Sequence, residues 1–228
     1  MTSLSIIMPV LDEATEIEAA LSALAPLRAR GAEVIVVDGG SRDGTAEKAR
    51  PLADRVLATP RGRSLQMNAG AAAACGDVLI FLHADTRLPG DADRLVLDGL
   101  VRWGRGWGRF DVRFDGVGLL NVIATMMNLR SRLTGIATGD QAMFMTRAAF
   151  ERAGGFPPIA LMEDVALSRK LKRTGRPLAL RARVITSARR WRKHGALRTV
   201  LLMWALRLRF FLGADPAKLA RAYGYVER

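Results

Sequence analysis

LSIIMPVLDE (residues 4–13), EVIVVD (33–38) and DVLIFLHAD (77–85) share one pattern, an unbroken β-branched and apolar run that stops at a carboxylate. Strands buried on both faces need such runs, because neither face can present polar side chains to water. The segments between them read as helices, so the three runs are expected to lie parallel in one doubly wound sheet. Glu13, Asp38 and Asp85 then stand at the carboxyl edge, where open α/β sheets bind ligands. An acid-rimmed edge suits sugar hydroxyls, base edges or a divalent cation that carries phosphates.

The composition is that of a globular enzyme. Half of the 228 residues are hydrophobic and a quarter are charged, and no Pro/Ser-rich linker divides the chain, so one domain is expected. A lone cysteine, Cys75, excludes an intrachain disulfide framework and fits a reducing compartment; at the end of an alanine run it reads as a packed thiol. The first apolar run lacks a basic leader and meets Asp12 and Glu13 at once, unlike a signal peptide. No apolar stretch reaches the roughly 20 residues that span a bilayer. A cytoplasmic protein follows, with a peripheral position at the inner membrane face left open.

The net charge of +13 is concentrated. Residues 165–214 hold fourteen Lys/Arg and no acid, which leaves 21 basic against 22 acidic groups elsewhere. Such a segment improves solubility or attracts diphosphates, anionic headgroups or nucleic acid.

Coarse patterning predicts strands at 4–10, 33–37, 55–57 and 78–82, alternating with helices at 14–24, 44–53 and 64–74. Beyond Pro89 a helix at 92–102 precedes 107–114, where Phe110, Val112 and Phe114 alternate with Arg109, Asp111 and Arg113. That alternation predicts a half-exposed, antiparallel strand. Helices at 117–129, 147–153 and 164–173 and a strand at 141–146 complete a mixed second half.

VDGGSRDGT (37–45) is the most specific local motif. Its glycines permit a tight turn after a strand, and Asp38 and Asp43 can accept hydrogen bonds from a base or ribose, or merely cap the turn. It is neither a dinucleotide fingerprint nor a P-loop. With PVLDE (9–13), RGRSLQMNAG (61–70), HAD (83–85), TGDQ (138–141) and MED (162–164), in that order, the chain resembles glycosyltransferase family 2. The resemblance implies a GT-A fold: a Rossmann-like α/β architecture with a doubly wound, mainly parallel sheet and a mixed C-terminal half. More narrowly, it is similar to small single-domain members known as arsenosugar-biosynthesis or radical-SAM/selenodomain-associated transferases.

The resemblance implies a single GT-A domain over 1–228: a nucleotide-binding half at 1–90, an acceptor and catalytic half at 91–194, and a basic amphipathic C-terminal helix at 195–228. It implies metal-dependent, inverting transfer from a UDP- or GDP-sugar to a small-molecule or lipid acceptor. The donor would meet Pro9, Glu13, Asp38, Gly40, Asp43, Asn68, His83 and Ala84, with Arg61 or Arg63 at its phosphates. Asp85 would ligate Mg²⁺ or Mn²⁺. The family usually carries two or three acids where this chain has His83-Ala84-Asp85. Asp164 is the candidate base, and helix capping is the alternative role for it or for Glu163. Gly139, Asp140, Glu163, Arg190 and Trp191 would face sugar or acceptor, and His194 would be a second metal ligand.

In the tail, Leu201, Trp204, Leu208 and Phe211 recur at helical spacing beside Arg198, Arg207 and Arg209. Such a stripe packs on a core or lies on a membrane surface. Two rival functions remain. A sugar-1-phosphate nucleotidyltransferase would need a Gly-rich, Arg-Lys signature after the first strand, which is missing here. A basic lipid- or nucleic-acid-binding module would leave the strand-end acids without purpose, and no nucleic-acid module is recognisable.

Overall fold

The computed structural model describes residues 3–116 and 118–224, apart from the side chains of Arg190 and His194. The three opening runs form β1 (Leu4–Val10), β2 (Glu33–Asp38) and β4 (Val78–Phe81). β1 lies between β2 and β4, parallel to both, and β3 (Arg55–Ala58) extends the parallel half beyond β2. Alternate residues of one strand face opposite cores. Ile6 and Met8 join one apolar cluster while Ile7 joins the other, and both clusters exclude water almost completely. Burial on both faces is the physical origin of the unbroken apolar runs.

Helices clothe these faces. α1 (Ile17–Ser22) and α2 (Ala25–Ala29) replace the single expected helix at 14–24, because Leu24 and Pro26 restart the helical turn. α3 (Thr45–Ala49) follows the turn after β2. α4 (Arg63–Ala73) packs so closely on the sheet that a Cβ at Gly70 would stand 2.4 Å from Ile7 Cγ2. Beyond α4 the chain turns, so Cys75 is exposed and not a packed helical thiol; its sulfur accepts from Arg55 Nη2 at 3.4 Å.

The second half continues the same sheet. β5 (Thr86–Arg87), β6 (Trp107–Phe114), β7 (Phe144–Thr146) and β8 (Leu178–Thr186) complete the order β3-β2-β1-β4-β7-β6-β8-β5. β7 runs antiparallel to both β4 and β6, so the sheet is parallel on one side and mixed on the other, as the α/β GT-A reading expects. Two expectations need correction. β6 is buried on both faces, and its longest pairing is parallel, to β8. Of its polar residues Arg113 alone is exposed, and α6 (Leu119–Thr134) covers the other two: Arg109 bonds Asp111 and donates to Ser131 Oγ, while Arg132 reaches the other Asp111 oxygen at 2.7 Å. β8 itself was not expected, since its alternating arginines Arg181 and Arg183 read as basic tail.

α5 (Ala92–Trp103), α7 (Arg147–Arg152) and α8 (Glu163–Leu171) flank this half. After the short α9 (Arg189–His194), the C-terminal region expected as one helix forms two, α10 (Ala196–Phe211) and α11 (Pro216–Tyr223). Gly213 at φ +86° and Pro216 impose the break. Both helices pack around Met162 and Val165 through Leu206, Leu219 and Ala220. The tail stripe is not core: Leu201, Trp204, Leu208 and Phe211 are all exposed.

Candidate active site

A cleft of about 480 Å³ opens at the carboxyl edge of the parallel strands. Pro9 and Val10 end β1 and Glu13 follows it, Arg61 and Gly62 lead into Arg63 to Gln66 at the start of α4, and His83, Ala84 and Asp85 follow β4. Residues 158–160 and Ala217, Ala220 and Arg221 of α11 close the far side. Of the residues singled out in the sequence, Pro9, Glu13, Arg61, Arg63, His83, Ala84 and Asp85 therefore share one cavity.

The Asp38 loop stands behind this wall. Asp38 is buried and accepts from the backbone and hydroxyl of Ser41, whose Oγ in turn accepts from Asp12 N at 2.9 Å. Asp43 accepts from Ala14 N at 2.9 Å and from Thr45, which holds its carboxyl below the usual aspartate range. Gly40 takes φ +91°, a left-handed conformation that glycine adopts without steric cost. Gln66 fixes the adjoining strand ends by donating to Val10 O and Val37 O, both at 2.8 Å. Asp38 and Asp43 thus brace the loop. Asn68 is also structural here: its amide exchanges two hydrogen bonds with Phe156 and so holds the loop that brings residues 158–160 to the cleft.

Glu13 is half-buried, and loss of water pushes its carboxyl above the usual glutamate range despite the nearby guanidinium of Arg189 at 3.1 Å. Arg189 also lies 3.9 Å from Glu16 and senses Asp85, so it balances the acids on that wall. The sequence reading emphasised Arg190 and Trp191 and missed Arg189. Trp191 instead packs edge-on to Phe114, with ring centroids 5.2 Å apart, and does not line the cleft. The side chains of Arg190 and His194 lie outside the described residues.

His83 lines the main cleft and also a small recess formed with Gly139, Glu163 and Asp164. Gly139 lets the ring lie against this loop, since a Cβ there would stand 2.5 Å from the imidazole. Asp164 Oδ2 accepts from Gly139 N at 2.9 Å and Oδ1 from Val165 N at 2.6 Å, so the loop and the α8 start are tied together. Met162, at φ +70°, turns the chain into that helix. Asp140 lies 3.7 Å from His83 Nδ1; burial acts to raise its pKa, but His83, Arg63 and Arg207 outweigh that and hold it low. Glu163 is nearly inaccessible. Burial, then the like charge of Asp164, push it up, although Arg63 stands 3.7 Å away.

Two further cations approach these acids. Burial and the charge of Arg207 push Arg130 down to about 10, with Asp164 and Asp140 opposing. Nothing local marks either arginine, because they stand on α6 and α10, far apart in sequence.

Asp85 presents a carboxylate on the cleft wall, and among the described residues no three His, Cys, Asp or Glu side chains gather as a metal cage.

The glycosyl transferase family 2 model matches residues 5–150. Over 110 residues the chain is 42% identical to succinoglycan biosynthesis protein ExoA of Rhizobium meliloti (strain 1021), covering 44% of this chain and 33% of that protein. It thus spans one third of that relative. Mannosyltransferase PcManGT from Pyrobaculum calidifontis, solved with GDP-Man and Mn²⁺, superposes with a TM-score of 0.68 at 22% identity, over 98% of this chain and 69% of its own. S. aureus TarS 1-349 gives 0.66 at 18% identity, over 82% and 60%. Glucosyl-3-phosphoglycerate synthase from Mycobacterium tuberculosis, solved with Mn²⁺, UDP and product, gives 0.61 at 20%, over 81% and 71%. These likenesses in structure show the fold. The family match spans well over half of the chain and contains β1, the Asp38 loop, His83 and Asp85, so the chain belongs to glycosyl transferase family 2.

Proposed function

We propose that this protein transfers a sugar from a UDP- or GDP-sugar to an acceptor hydroxyl, with inversion at the anomeric carbon. The supporting observation is that His83 lines both the acid-and-arginine cleft and a recess lined by Glu163 and Asp164, so the acid pair adjoins the cleft in which a donor would lie. Arg61 and Arg63 stand where a diphosphate would lie, and Glu13 can accept from the nucleoside. A divalent ion held by Asp85 would offset charge on the departing diphosphate.

Asp164 is the proposed base. Each of its oxygens already accepts one backbone N–H, which aims the carboxylate and leaves lone pairs for the acceptor hydroxyl. As that hydroxyl attacks from the face opposite the leaving diphosphate, its proton passes to Asp164. The narrower likeness to arsenosugar-biosynthesis transferases rests on the sequence motifs and is part of this proposal; it fixes no acceptor.

Incubation with a panel of nucleotide sugars and Mn²⁺ tests the reading through release of nucleoside diphosphate. Pyrophosphate release from a nucleoside triphosphate would instead indicate a nucleotidyltransferase, and neither product would indicate a binding module.

A further inference from the structure

α6 and α10 each carry an apolar stripe on the side away from the protein. On α6 these residues are Leu119, Val122, Met126, Leu129 and Leu133, 48–72% exposed. On α10 they are Leu197, Leu201, Trp204, Leu208 and Phe211, 52–70% exposed. At about 100° per residue, each stripe stays within roughly 40° of one line along its helix. The inward residues lie opposite: Ala124 and Ser131 on α6, Thr199 and Leu206 on α10. Single exposed leucines are ordinary, but two continuous stripes on separate helices leave apolar surface that water does not favour.

The charge around these stripes has one sign. Residues 116–139 and 165–214, which contain both helices, hold no Asp or Glu. On α10, Arg198 and Arg209 flank the stripe on one side and Arg207 on the other. Arg169 of α8 lies 5.5 Å over the Phe211 ring, and Lys172 donates to Thr134 O at the end of α6. Where the helices approach, Arg130 senses Arg207. Arg130 Nε and Nη2 and Arg207 Nε are shielded from water without a hydrogen-bond partner, and neither arginine has an ion pair among the described residues. Buried donors without acceptors are uncommon, and the nearest acids, Asp140 and Asp164, act on these guanidinium groups only from beyond ion-pair distance.

We infer that α6 and α10 together form a docking face for an anionic phospholipid bilayer, with the stripes in the acyl-headgroup boundary and the flanking cations on headgroup phosphates. Trp204 suits this position, since indole rings concentrate at the membrane-water boundary. Among the described residues no helix is long and apolar enough to cross a membrane, so attachment by this face is peripheral. Because Arg130 and Arg207 also stand near Asp140 and Asp164, the docked bilayer borders the acceptor side of the recess. The inference does not depend on the transferase reading.

Cosedimentation with vesicles of about 30 mol% anionic phospholipid, and with neutral vesicles, tests it. The full chain is expected to bind the anionic vesicles and to lose at least about tenfold in affinity between about 0.05 M and 0.5 M salt. The pairs Leu129→Ser/Leu133→Ser and Trp204→Ser/Leu208→Ser should each weaken binding about tenfold or more, since each removes two buried apolar side chains. Arg130→Gln/Arg207→Gln should lower the preference for anionic over neutral vesicles. Val101→Ser/Trp103→Ser, equally exposed on α5 beside Asp98, should change nothing. Nucleoside diphosphate release without vesicles, measured on the serine variants, separates loss of docking from loss of the transferase site. Equal pelleting with both vesicle types, or with neither, overturns the inference. So does a solution mass of twice 24.8 kDa that the serine variants halve, because a second copy then covers these stripes.

Discussion

At the residue scale, Asp164 is a structural tie and the proposed base, the two roles that the sequence left as alternatives. Its backbone hydrogen bonds to Gly139 and Val165 make it a structural tie, and it lines the recess beside His83. Asp164→Asn keeps the shape but removes the basic oxygen. Transfer should fall about 10²–10⁴-fold while donor affinity stays near that of the parent, as read by single-turnover kinetics and nucleotide-sugar titration. Normal transfer by the variant would move the base to Asp140. Asp85→Asn should separate differently, abolishing the Mn²⁺-dependent part of donor binding in calorimetry with little change in melting temperature, because Asp85 stands on the cleft wall. Persistent metal dependence would exclude it as a ligand. Glu163 has a folded pKa above the ordinary 4.5, chiefly through burial, so the folded protein holds this proton more tightly than the unfolded chain. Its contribution to stability is present at low pH and is lost as pH rises from 4.5 through the elevated value. Glu163→Gln removes that loss. Its melting temperature relative to the parent should therefore climb with pH between about 4.5 and 7, at about 2–4 °C per kcal/mol. Parallel melting curves would show that the buried carboxyl costs nothing.

At the element scale, legibility followed burial. β1, β2 and β4 were readable because both faces are covered, which forces an apolar residue at nearly every position. β6 has the same burial but carries Arg109 and Asp111 inside, so its alternation pointed to an exposed face that does not exist. The polar side chains are tolerated because Arg132, Ser131 and Asn128, all on α6, complete their hydrogen bonds. That helix begins in sequence only after β6 ends, and no local pattern announces the pairing. β8 was hidden for the complementary reason: its exposed arginines matched the basic segment around it. Asp111→Asn tests the account of β6. Removing the one acid shared by Arg109 and Arg132 leaves a fully buried guanidinium without its counter-charge. A destabilisation of about 3–5 kcal/mol is expected in urea unfolding. A loss below about 1 kcal/mol, the range of surface pairs, would mean that the α6 hydrogen bonds alone satisfy Arg109.

At the scale of the whole molecule, the site extends beyond the segment that the family model matches. Residues 5–150 supply the cleft floor and Asp85, whereas Glu163 and Asp164 open α8 and Arg221 comes from α11 near the end of the described chain. The motifs PVLDE, HAD and MED could be read because each sits at a strand or helix end, but nothing in the sequence placed α11 against the cleft. Its packing follows from Leu219 and Ala220, which join Leu161, Met162 and Val165 in one apolar cluster and so set Arg221 at the cavity rim. An exposed guanidinium there, on a chain of net charge +13, should attract and then hold an anionic donor. Arg221→Ala should raise the donor dissociation constant about tenfold, the worth of a charge-assisted hydrogen bond, without lowering the melting temperature. The effect should shrink as salt rises, since screening weakens an exposed ionic contact before it affects a buried one. If donor affinity is unchanged at low salt, α11 closes the cleft by shape alone, and the diphosphate is held by Arg61 and Arg63 from the opposite wall.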